Sequence, residues 1–220
     1  MKDDFYSNIG GDFIYSLTNE SSRGAVLIGA SKVEEYLEKL IILILPKREK
    51  KYKEKLLNYP GPISSFSSKI ELSFAFRLID LQLYNSLNVL RKIRNIAAHT
   101  ANNFKLNTIK QEINSIICFE PNFDEVVKSL AYDDFVKIKK HQMREAIKNV
   151  DVSQKIKDEI LEKQFKYFIT SDVLLDQLVI WQLAYGLSFI CLKLLAILDD
   201  YGVAQDRTQT WIEIMENKSI

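Results

Sequence analysis

The sequence predicts an all-α fold: a single helical bundle of about seven helices carrying a lysine-rich helical extension. Three observations point there. The 220 residues include only 7 Gly and 4 Pro, about half or less of an average usage near 7% and 5%. Leu (26 copies) and Lys (23 copies) are strong helix formers, although Ile, also at 26, leans toward strands. Apolar residues also recur at helical spacing along most of the chain. So few turn-forming residues argue against a turn-dense β-sandwich, and a hydrophobic content of 47% argues against a disordered chain. Residues 1–220 are read as one domain.

Each element has its own justification. Between Arg23 and Leu45, Ala25, Ile28, Gly29, Val33, Tyr36, Leu37, Leu40, Ile41 and Ile44 follow a helix period; Ser21 or Ser22 caps the start and Pro46 stops it. The basic run Lys47 to Lys55 comes next and reads as a loop, and Tyr59-Pro60-Gly61-Pro62 reads as a turn or an extended crossing. A helix over 67–78 puts Ile70, Phe74 and Leu78 on one stripe. Asp80 then caps a helix over 81–99 that carries Leu83, Leu87, Leu90 and Ile93. A further helix covers 106–119, ended by Pro121.

Beyond Pro121 the helices become lysine-rich and thinly apolar. Asn122 with Glu125 resembles a capping box, and residues 121–170 read as a helical hairpin inserted on the main body. Ser171 or Asp172 then caps a long helix over 172–198, wide enough in its apolar face for a central position. Gly186 within it is a mild defect or a point of close packing. The core is expected from 23–45, 67–78, 81–99, 106–119 and 172–198.

Thirty basic against 29 acidic residues give a net charge of +1, so a globally basic nucleic-acid coat is excluded and only local patches remain. Cys118 and Cys191 lie in apolar runs, as packed thiols of a reducing compartment do, and no disulfide-linked partner is expected. Two His and two Cys are too few for a nitrogen–sulfur zinc site. No metal or cofactor is assigned. Met1-Lys2-Asp3-Asp4 does not open a secretory signal, and Gln182, Ser188 and Lys193 interrupt the apolar stretch 178–198. A cytoplasmic protein without a membrane partner is expected.

Leu90-Arg91-Lys92-Ile93-Arg94-Asn95-Ile96-Ala97-Ala98-His99 holds the candidate site. Only seven arginines occur in the chain, yet two fall here beside one of two histidines. At about 100° per residue, Arg91, Asn95 and His99 share one face, while Arg94 projects into the apolar stripe of Leu83, Leu87, Leu90, Ile93 and Ala97. An arginine there requires a carboxylate, a phosphate or a second subunit. Glu34, Glu35 and Glu71 are the candidate carboxylates, and His99 closing a helix C-terminus is the plain structural alternative.

The ordered pieces Glu20-Ser21-Ser22-Arg23-Gly24-Ala25, Gly61-Pro62-Ile63-Ser64-Ser65-Phe66-Ser67-Ser68-Lys69-Ile70-Glu71, Ile79-Asp80 and Arg91-Lys92-Ile93-Arg94-Asn95 with His99 resemble the mannitol operon repressor family over residues 20–120. The resemblance implies an all-helical bacterial regulator without a helix-turn-helix. Arg94, four residues, then His99 also resembles the motif of HEPN domains, helical bundles that commonly dimerise. In active members that resemblance implies metal-independent RNA cleavage. His99 would be the general acid/base, Arg94 would stabilise the phosphorane, and Asn95 would orient the phosphate. A homodimer or a regulatory protein partner is therefore expected, with RNA as the alternative.

Arg91 and the basic run Lys47, Arg48, Lys50, Lys51 and Lys53 are candidate phosphate- or partner-binding residues. The cluster Lys137, Lys139, Lys140, His141, Arg144 and Lys148 is a second basic patch or, more simply, a solvated face. His141 is expected to be exposed. Asp133-Asp134 and Asp199-Asp200 read as surface carboxylates, and nucleotide-binding, hydrolase and metalloprotease signatures are absent.

Overall fold

The computed structural model describes residues 10–45, 50–100, 104–116, 122–169 and 172–217, among which every regular element is helical. Nine α-helices follow in order: α1 Gly11–Thr18, α2 Ser22–Ile44, α3 Lys50–Leu57, α4 Phe66–Ala75, α5 Leu81–His99, α6 Lys110–Ile116, α7 Phe123–Ile147, α8 Gln154–Ile169 and α9 Asp172–Asn217. A 3-10 turn, Leu106–Ile109, leads into α6.

The all-helical expectation holds, and the count of about seven is too low. Two helices went unforeseen. α1 buries Phe13 and Leu17, and α3 forms within the basic run read as a loop. Lys47 and Arg48 lie outside the described residues, as do Pro46, Cys118, Pro121 and Ser171.

The helix starts follow their caps. Ser21 Oγ accepts from Gly24 N at 3.1 Å and starts α2. At the other end Leu45 is extended, the conformation favoured before a proline. Ser65 Oγ accepts from Ser68 N at 3.0 Å and starts α4. Asp80 Oδ1 accepts from Leu83 N at 2.7 Å and starts α5, while its other oxygen is 2.8 Å from Lys193 Nζ on α9. That carboxylate therefore caps one helix and ties it to another.

Other boundaries differ from expectation. α4 ends at Ala75 because Arg77 turns left-handed (φ 56°), with Arg77 N donating to Phe74 O and Leu78 N to Ser73 O, each at 2.9 Å. This is a Schellman stop built without glycine. Residues 106–109 are a 3-10 turn, so the α-helix expected from 106 starts at Lys110. Asn122 is itself left-handed (φ 60°) and makes no side-chain cap, so the capping box does not form. α9 continues to Asn217, well beyond 198.

α9 packs against α2, α7 and α1, and α5 packs against α2, α4 and α6. The main core joins Leu17, Ala25, Val33, Leu37, Leu87, Leu90, Leu183 and Leu187, all fully buried. Gly29 of α2 makes one of its closest approaches possible, because a Cβ there would strike Leu187 Cδ1 of α9. Gly61 serves a different need: its Cβ would meet the carbonyl oxygens of Lys55, Leu56 and Asn58, so the turn after α3 closes only on glycine.

A second cluster, Ala131, Phe135, Leu174 and Trp181, seats α7 on α9. Beside it Tyr185 donates a short hydrogen bond to Asp134, so this carboxylate, expected at the surface, is half-buried and engaged. Residues 174–202 are the one stretch among those described that is long and apolar enough to cross a membrane, and 72% of its apolar window is buried, as in the core helix of a soluble protein. Cys191 lies within it as a free, buried thiol, its pKa pushed up to about 12 by burial.

Candidate functional site

α5 carries the candidate residues, and its two faces treat them differently. Leu83, Leu87, Leu90, Ile93 and Ala97 are buried against the core. Arg94 sits at the rim of that face and not inside it: its side chain is 37% exposed, and Nη2 lies 3.8 Å from Glu34 Oε2 on α2. The expectation of a buried arginine is corrected by the length of the side chain. Its Cβ starts on the apolar stripe, and the stem carries the guanidinium out to the edge.

Glu34 is the carboxylate that answers Arg94. Of the other two candidates, Glu35 pairs with Lys32 at 2.9 Å and Lys39 at 2.6 Å. Glu71 accepts from Tyr84 Oη at 3.0 Å.

The deeper cation is Lys69 of α4, which is only 4% exposed. Its Nζ lies 3.0 Å from Glu34 Oε1 and 2.8 Å from Glu38 Oε2. Burial works to lower its pKa, but the hydrogen bonds to Glu38 and Glu34 outweigh it and leave Lys69 above the ordinary 10.5. Two carboxylates of α2 thus face one lysine of α4 and one arginine of α5, a set with no net charge.

The sequence places Lys69 in a motif and does not predict it as a buried ion. The available signal was its place between Phe66, Ile70 and Ser73, which share the buried stripe of α4. Glu34 and Glu38, one turn apart on α2, supply the matching pair.

Arg91, Asn95 and His99 share the opposite side of α5, as their spacing requires. Arg91 is half-buried and donates from Nε to Asn88 Oδ1 at 3.3 Å, whereas Asn95 and His99 are exposed. Arg94 and His99 are turned about 140° apart around the helix. The fold therefore groups Arg91 with Asn95 and His99, and assigns Arg94 to the ion cluster.

The end of α5 is held by another motif residue. Arg23 Nη2 donates to Thr100 O at 2.6 Å, placing a cation at the helix C-terminus, where carbonyl oxygens lack partners. Nearby, Asp176 of α9 accepts from Ser22 Oγ at 2.7 Å and from Asn107 N at 2.9 Å, joining α2, the 3-10 turn and α9.

Of the remaining basic candidates, Lys50 and Lys51 are exposed on α3, Lys53 is half-buried, and Lys50 Nζ lies 3.7 Å from Glu54 Oε1. α3 is not among the helices that pack substantially on α5. His141 is exposed on α7, as expected.

Three concavities on the described surface, of about 570, 730 and 730 Å³, are lined without Arg94, Asn95 or His99. Among the described residues, no three or more His, Cys, Asp or Glu side chains gather in a cation-binding arrangement. Comparison with known proteins finds no matching family model, no matching curated protein and no matching solved structure.

Proposed function

We propose that this chain is a helical regulatory or interaction protein of the mannitol-operon-repressor type, acting through protein contact and not through a helix-turn-helix. One observation carries the reading. Arg94 has its ion-pair partner within the fold, Glu34 at 3.8 Å, while Arg91, Asn95 and His99 form a polar stripe that faces outward from α5.

The other residues that carry the family resemblance are explained as builders of the bundle. Arg23 holds the end of α5, Lys69 joins α4 to α2, and Asp80 caps α5 against α9. A regulator of this kind works in the cytoplasm, in keeping with the free thiol of Cys191.

The test is affinity capture with the full chain and with an Arg91→Glu, Asn95→Arg double variant. A partner retained by the wild type and released by the variant supports contact through α5. Equal retention by both, or none by either alongside nuclease activity, counts against it.

A second reading is a HEPN-type, metal-independent endoribonuclease. It is favoured by the length of the Arg94–Glu34 pair, 3.8 Å, at a side chain 37% exposed. A phosphate would compete well for a guanidinium held so loosely. His99 would then serve as acid/base and Asn95 as the phosphate-orienting group. Cleavage of RNA in EDTA that disappears in His99→Ala would establish it.

A further inference from the structure

The α7–α8 hairpin has a surface the preceding argument leaves unused. Lys140 Nζ lies 5.0 Å from the centroid of the Phe165 ring, and Lys157 Nζ donates to Lys148 O at 2.8 Å, so the two helices run antiparallel. Between them opens a groove of about 570 Å³ floored by Met143, Leu161 and Phe165. Between 154 and 167, no residue of α8 is buried. Over these described residues the helix lacks the packing that normally holds a helix in water.

The two rims of this groove differ in charge. On α7, Lys137, Lys140 and Arg144 recur at spacings of three and four and form one cationic stripe, and Lys148, just past the end of α7, pairs with Glu145 at 3.3 Å. On α8, Asp158 and Glu162 face the groove one turn apart, with Lys166 a turn further on. Asp158 accepts from Gln154 at 3.1 Å, and Lys140 has the Phe165 contact, but among the described residues Lys140, Arg144, Asp158 and Glu162 form no ion pair with one another.

An apolar floor between a cationic rim, Lys140 and Arg144, and a rim of two acids and one lysine, Asp158, Glu162 and Lys166, is complementary to itself where Arg144 meets the two acids. We infer that the groove between α7 and α8 takes the same hairpin of a second copy of this chain, closing a four-helix dimer contact. A two-fold axis crossing the helices would set α7 on α7 and bring the cationic stripes together. An axis parallel to the helices sets α7 of each copy on α8 of the other, in antiparallel pairs. Arg144 then meets the Asp158 and Glu162 level of the facing rim, and Met143, Leu161 and Phe165 close over their counterparts. Charge selects the second arrangement.

The same acids argue against a nucleic-acid backbone in this groove, since one wall would repel it. The inference shares no residue with the α5 contact, so either can fail alone.

The experiment is sedimentation equilibrium on the full chain. Three forms are compared with the wild type: Lys140→Glu with Arg144→Glu, Asp158→Lys with Glu162→Lys, and all four changes together. Circular dichroism checks that each is folded. The wild type is expected to be dimeric, and each rim reversal to weaken the dimer at least about tenfold by opposing like charges. The fourfold swap is expected to restore it. A wild type that remains monomeric overturns the inference, as does a dimer indifferent to both reversals. So does a monomer that holds labelled single-stranded RNA through Lys140 and Arg144.

Discussion

Lys69 lies 3.0 Å from Glu34, a partner 35 positions earlier in the chain, and this contact joins α4 to α2 at a depth where the lysine is 4% exposed. Glu34 turns its other oxygen to Arg94 at 3.8 Å. One carboxylate thus serves a buried cation and a rim cation, and the two should differ sharply in their effect on stability.

Lys69→Met is expected to destabilise the fold by about 3 kcal/mol, the low end for breaking a buried pair, because Glu34 and Glu38 keep partial access to water. Arg94→Ala is expected to cost about 1 kcal/mol or less, as for an exposed, long ion pair. Urea unfolding of the two variants beside the wild type checks the order. An Arg94 effect as large as that of Lys69 would place the arginine at the centre of the cluster.

The same lysine sets a pH dependence. Its folded pKa is raised above the ordinary 10.5, so its stabilising contribution is fully present below that value. The contribution is lost as pH rises through the folded pKa. Thermal unfolding followed from neutral to strongly alkaline pH should show a larger fall in Tm for the wild type than for Lys69→Met. On the acid side Asp80 behaves oppositely. Burial opposes its ionisation, but Lys193 and the Leu83 N–H outweigh this and hold it below the ordinary 3.8. Its contribution is present above that value and is lost as pH falls through the lowered pKa.

Arg77 ends α4 in the left-handed region at φ 56°, a conformation costly for a residue with a Cβ. Arg77→Gly should raise stability by about 1 kcal/mol, and Arg77→Val should lower it. A shift of the urea midpoint at constant m-value is the measurement.

Gly29 tests the close approach of α2 to α9. Alanine is the better helix former by about 1 kcal/mol, but its Cβ would press on the fully buried Leu187. Overpacking of this kind costs about 1–3 kcal/mol, so Gly29→Ala is expected to destabilise on balance. Gly29→Ala combined with Leu187→Ala should recover part of the loss beyond additivity, as a double-mutant cycle would show.

The elements that sequence periodicity revealed are those with a buried stripe and a polar cap: α2 from Ser21, α5 from Asp80, and the buried stretch of α9. α3 escaped because only Leu57 of its eight residues is buried, leaving no apolar period to find. The stop after α4 escaped because the residue in the left-handed position is arginine and not glycine. Arg94 was assigned to the interior because a helical wheel locates Cβ atoms, not the ends of long side chains. Lys69 passed unnoticed for the complementary reason. Its buried environment depends on Glu34 and Glu38 of another helix, a coincidence that appears only once α2 and α4 are packed together.

Whether α5 is a contact surface or a catalytic one is decided by RNA incubated in EDTA with the purified full chain and with its His99→Ala variant. If Glu34 keeps Arg94 in the ion cluster and the outward stripe serves only contact, the RNA stays intact with both proteins. Cleavage by the wild type that vanishes in His99→Ala would contradict this and make Arg94, Asn95 and His99 a catalytic set.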